Sequence, residues 1–80
     1  MFKIYVELKN VVDGKDYKVS IKKDDGGYEK EASVSASKPS TTFENVPAGG
    51  YSARATDEHW AAHTATFNAF QDGQTVQIFM

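Results

Sequence analysis

"TTFENVPAGGYSARATD", residues Thr41 to Asp57, carries a strand, a Pro-Gly turn and a second strand, and its reading decides the fold. Phe43 and Tyr51 bracket the turn. Pro47 presets φ for a turn position, and Gly49 or Gly50 can supply the positive φ that such a turn needs. Phe43 and Tyr51 are then expected to be buried and to pack across two facing sheets as the corner closes.

The flanks of this corner alternate with period two, as half-buried strands do. Phe2, Ile4, Val6 and Leu8 alternate with Lys3, Tyr5, Glu7 and Lys9. Asp13-Gly14 interrupts as a turn, and Tyr17, Val19 and Ile21 resume against Lys18, Ser20 and Lys22. After "DDGG" (Asp24 to Gly27), Tyr28, Ala32, Val34 and Ala36 share one parity. This third strand is less apolar, so it is expected as an edge or a short-core strand, and Glu29, Lys30 and Glu31 at its start discourage edge-to-edge pairing. Pro39 ends it. Thr41 to Val46 forms a fourth strand. Tyr51, Ala53 and Ala55 mark a fifth, and Ala65, Phe67 and Ala69 a sixth. "QDGQ" (Gln71 to Gln74) turns the chain into a seventh strand with Val76, Ile78 and Met80. No stretch shows a useful 3.6-residue period. Short strands with regular turns predict one all-β domain over residues 1–80, a seven-stranded antiparallel β-sandwich.

The corner also carries a resemblance. A strand ending in Phe43, the turn Val46-Pro47-x-Gly49, and Tyr51 opening the next strand resemble the corner of transthyretin-like sandwich modules. These include carboxypeptidase regulatory-like domains and the B-type repeats of collagen adhesins. "AFQDGQTVQIFM" is similar to their closing hairpin, with Gly73 in the turn. The first 40 residues share only the general pattern. The resemblance implies a transthyretin-like or immunoglobulin-like sandwich and a non-catalytic structural or protein-interaction role. Bacterial surface proteins and secreted multidomain proteins are the expected setting, with an extracellular or cell-surface location. Adhesin repeats often carry a Lys–Asn isopeptide bond assisted by a buried carboxylate. Here the inward positions after Tyr51 are Ala53 and Ala55, and "QTVQIFM" has no Asn, so that crosslink is not expected.

Composition narrows the remaining classes. Eighty residues bury roughly 60% of the surface that the unfolded chain exposes. Cysteine is absent, so neither a disulfide nor a thiolate metal site supports the core. The net charge is −2 with signs interleaved, which argues against the clustered Lys and Arg of a nucleic-acid surface. "KVSIKK" (Lys18 to Lys23) reads as a solvated sheet face. No apolar run approaches the ~20 residues of a membrane helix. "MFKIYVELK" alternates and lacks the apolar core of a signal peptide, so export would require a removed leader or a longer parent chain.

Reactive constellations are scarce. Ser33, Ser35 and Ser37 alternate as solvent-facing residues do, with no base nearby in sequence and no strained Gly-x-Ser-x-Gly elbow. His59 and His63 have a spacing that suits a metal on a helix, with Asp57 or Glu58 as a third ligand, but they fall in or near a β connection, where that spacing loses its meaning. "KDDGG" and "TDEH" cluster carboxylates without an EF-hand register. Neither a metal nor another cofactor is expected, and the chain reads as not an enzyme.

Three aromatics remain. Trp60, in the polar stretch "DEHWAA", either caps one end of the sandwich core or stacks on a sugar ring or anchors a protein partner, and the sugar case makes a carbohydrate-binding module the alternative reading. An enzyme inhibitor is a further alternative. Tyr5 and Phe79 lie on the polar parity of the first and last strands. Side by side on an outer sheet face, they would form an interaction patch for a protein partner, a neighbouring domain or weak self-association.

Overall fold

Branched and aromatic residues on one parity and Lys, Glu, Ser and Thr on the other oblige each strand to bury one face. The computed structural model describes residues 1–57 and 62–80. Its strands are β1 (Phe2–Lys9), β2 (Asp16–Lys23), β3 (Glu29–Ser35), β4 (Ser40–Val46), β5 (Gly49–Asp57), β6 (Ala62–Ala69) and β7 (Gln74–Phe79). They form two sheets, ordered β4-β1-β7 and β3-β2-β5-β6. The all-β, seven-stranded two-sheet sandwich expected from the alternation is therefore present.

Ile4, Val6 and Leu8 of β1 meet Val19 and Ile21 of β2, Ala53 and Ala55 of β5, and Val76 and Ile78 of β7 in one buried cluster. No polar or charged residue is buried among the described ones. Each sheet thus turns its apolar parity inward, and the charges lie outside.

The pairing departs from a purely antiparallel sandwich at one seam. β1 pairs antiparallel with β4, but β1 and β7 run parallel, with Tyr5 opposite Thr75 and Lys9 opposite Phe79. The cause lies at the β6–β7 turn. Lys3 N–H donates to Asp72 Oδ1 at 2.7 Å, and Gly73 N–H donates to the Lys3 carbonyl at 2.9 Å. These bonds hold the start of β7 beside the start of β1, so both strands leave in the same direction.

β4 carries a second irregularity. Phe2 pairs with Val46 and Ile4 with Phe43, so one extra residue of β4 is accommodated between them. Asn45 absorbs it at φ 56°, in the left-handed region that Asn tolerates better than most residues. This bulge lets Phe43 and Val46 both point inward although they are three residues apart.

Candidate functional site

The opening corner is built largely as its sequence suggests. Gly49 has φ 141°. Phe43 and Tyr51 are both buried, one on each sheet. The Tyr51 hydroxyl donates to the Pro47 carbonyl at 2.7 Å. A tyrosine bonded back to the chain just upstream is a recurrent brace in β-sandwiches. The Tyr51 ring stacks on Phe67 (centroids 5.2 Å apart) and meets Tyr28 edge-on at 6.0 Å. Tyr28 in turn donates its hydroxyl to the Glu44 carbonyl at 3.0 Å, tying β3 to the bulge in β4. Burial raises both the Tyr51 and Tyr28 phenols above the ordinary value, and for Tyr51 the Tyr28 and Asp25 charges add to it.

The "KDDGG" turn packs on the same corner. Asp24 N–H donates to the Gly50 carbonyl at 3.0 Å. The Lys23 ammonium lies 2.5 Å from Asp25 Oδ2, and Gly27 N–H donates to Oδ1 at 2.7 Å. Together these hold the Asp25 carboxyl below its ordinary range, Lys23 contributing most. The carboxylates here serve the turn, and no group of three or more His, Asp or Glu that could hold a metal occurs among the described residues.

Trp60, Glu58 and His59 lie outside the described residues. His63 is half-buried on the inward parity of β6, opposite Ala55. An open cleft of about 590 Å³ spans the ends of β3, β2 and β5. Asp16, Lys18, Ser33, Ser35 and Thr56 line it, and they share the outward parity of the register. Asp57 closes one end and lies 3.7 Å from the Lys15 ammonium. The cleft offers hydroxyl, ammonium and carboxylate groups to a polar ligand. Sequence reading assigned Lys18 and Ser33 to a solvated face and missed that three strand ends frame a hollow there.

Tyr5 and Phe79 are both exposed on the outer face of the β4-β1-β7 sheet. The parallel register separates them. Phe79 stands beside Lys9, about 13 Å along the sheet from the Tyr5 row at ~3.3 Å per residue. The Glu7–Gln77 pair intervenes. The contiguous aromatic patch expected from parity does not form, because parity fixes the face and only the register fixes the neighbours. Phe70, in the β6–β7 turn, is more exposed than either.

The sandwich's two lateral sides differ. On one side β3 presents Glu29, Lys30 and Glu31, while β4 has its bulge and the Tyr28 bond to Glu44. On the other side β6 reads AHTATFNA and β7 reads QTVQIF, with no Lys, Arg, Asp, Glu or Pro in either. One side chain does close part of the β6 edge. The Gln74 carboxamide donates to the Asn68 carbonyl at 2.7 Å and accepts from Phe70 N–H at 3.3 Å, as a paired strand would. An uncharged sixth strand was readable in the sequence, but its position at an edge was not.

No protein-family model, curated protein or solved structure matches this chain.

Proposed function

We propose that this domain is a non-catalytic protein-interaction module that docks through its β6–β7 side. The observation that carries the reading is the contrast between the two lateral sides. Edge strands invite pairing, and proteins blunt them with charge, Pro, bulges or cover. Here β3 and β4 have such devices, whereas among the described residues β6 has only the Gln74 clip at one end. Strand addition to a free edge is a common way to bind an extended segment. The resemblance of the Phe43–Tyr51 corner to transthyretin-like and adhesin modules supports placing the domain in a multidomain secreted or bacterial surface protein. Titration of the isotopically labelled domain with alternating Thr/Val peptides tests the docking side. Amide shifts concentrated on Thr64 and Thr66 are expected; shifts confined to β3 and β4, or none, would remove the reading.

A second reading has its own observation. The cleft that Lys18, Ser33, Ser35 and Thr56 line together with Tyr17 and Val34 includes Asp57, which in sequence precedes the segment holding Trp60. Hydroxyl groups together with an aromatic ring are the chemistry of glycan binding. A glycan array with wild type and Trp60→Ala tests it: binding that the substitution abolishes supports the reading, and an array without binding ends it.

A further inference from the structure

We propose that the partner of β6 is a second copy of this chain, joined antiparallel across a two-fold axis at Ala65. The inference rests on the edge-docking reading above and adds the partner and the register.

Backbone orientation comes first. Successive residues of an antiparallel strand point their N–H and C=O groups to alternate sides. Gly50 on β5 directs its carbonyl away from β6, to Asp24 N–H, and Gly50 stands opposite Asn68. Asn68 directs its own carbonyl away from β5, to Gln74. The even-numbered residues of β6 therefore aim their backbone groups at the free edge. With Asn68 and Phe70 engaged by Gln74, Thr64 and Thr66 hold the central edge-facing groups, which have no partner among the described residues.

Those two residues complement each other when the strand is reversed. With Ala65 opposite itself, Thr64 faces Thr66 of the copy and Thr66 faces its Thr64. Each such pair exchanges two N–H···O bonds. Side chains agree with the register. Thr–Thr pairs form on the outer face, where cross-strand hydroxyl contacts are favourable, and His63 meets Phe67 on the inner face. Moving the axis to Thr66 brings Asn68, already bonded to Gln74, opposite Thr64, and moving it to Thr64 leaves one Thr–Thr pair in place of two, with Thr66 opposite Ala62.

Charge does not oppose the seam. β6 carries no Lys, Arg, Asp or Glu. Among the described residues the nearest formal charge on the outer face is Arg54, paired with Thr64. The two copies of Arg54 would stand three strand spacings apart, about 14 Å, beyond the ~8 Å screening length of physiological salt. The contact is small, so the dimer is weak, on the order of 100 μM in Kd.

Sedimentation equilibrium between ~10 μM and ~1 mM brackets that affinity. Wild type is expected to pass from monomer to dimer. Thr66→Pro removes an N–H that faces the free edge, a position where Pro is tolerated, and should weaken association at least ~tenfold with the fold retained by circular dichroism. Thr66→Lys should do the same through charge. Dimerisation that survives both variants but falls in Phe79→Ser would overturn the proposal in favour of the outer face of the β4-β1-β7 sheet. A monomer at every concentration would also overturn it, and the peptide titration then separates the two ideas. If Thr/Val peptides still shift Thr64 and Thr66, only self-pairing fails; if they do not, edge docking fails as well.

Discussion

The Tyr51 hydroxyl donates to the Pro47 carbonyl at 2.7 Å, closing the corner between β4 and β5 from the inside. The ring is buried between Phe67 and Tyr28, while the carbonyl sits in a half-buried turn. Tyr51→Phe keeps the packing and deletes one hydrogen bond. The expected loss is about 0.5–1.5 kcal/mol, read from a urea titration with an unchanged slope. A Tyr51→Phe domain as stable as wild type would show that the bond only accompanies the packing.

The same corner sets an alkaline limit. Burial raises the Tyr51 and Tyr28 phenols above the unfolded value of 10.0. A raised folded value means that the native state holds its protons more tightly than the unfolded chain does. This contribution is fully present below pH 10 and is lost as pH climbs from there through the raised folded values. Thermal melts taken upward from pH 9 should fall steeply above pH 10, and Tyr51→Phe should flatten that fall.

Adjacent glycines in "PAGG" are expected to respond differently. At Gly49, φ 141° would strain any L side chain, and an added Cβ would come within 2.8 Å of Lys23 Cε. At Gly50 the added Cβ meets the far end of Asp24, which can swing away. Gly49→Ala should cost roughly 1–3 kcal/mol and Gly50→Ala less. The reverse order in denaturant titrations would mean that crowding, not backbone conformation, governs the turn.

Phe43 and Val46 show where alternation stops being a sufficient guide. Strict period two would turn one of them outward, yet both are buried because Asn45 takes the extra residue at φ 56°. Nothing in "FENV" marks that bulge except an Asn able to adopt the conformation. Strand identities, the inward parity of β1, β2 and β5, and the edge position of β3 were legible because they follow from local pattern. The parallel β1–β7 seam was not, since it depends on Asp72 and Gly73 reaching Lys3 across 69 and 70 positions of chain. The separation of Tyr5 from Phe79 and the Gln74 clip on β6 follow from the same long-range placement. Asn45→Gly should therefore be close to neutral, whereas Asn45→Val should cost roughly 1–3 kcal/mol. Equal stability of the two variants would remove the bulge from the account of the corner.

Phe43→Ala tests whether the corner belongs to the core or ornaments it. Phe43 is 5% exposed and shares the buried cluster with Ile4, its register partner, and with Tyr51 of the opposite sheet. The structure offers few side chains able to fill the space left behind, because the inward positions Ala53 and Ala55 of the opposite sheet are already short. Truncation of a buried Phe costs about 3–5 kcal/mol through lost transfer energy and the residual cavity. Domains of this size have only about 5–15 kcal/mol to lose, and small ones lie at the lower end. Phe43→Ala should therefore leave the chain largely unfolded at physiological temperature, whereas Phe43→Leu should fold with a lowered melting point. A loss below ~1 kcal/mol for Phe43→Ala, outside the range for a cavity-forming substitution, would mean that β4 can shift inward to refill the space. The bulge at Asn45 would then be a hinge of the sandwich and not its fixed corner.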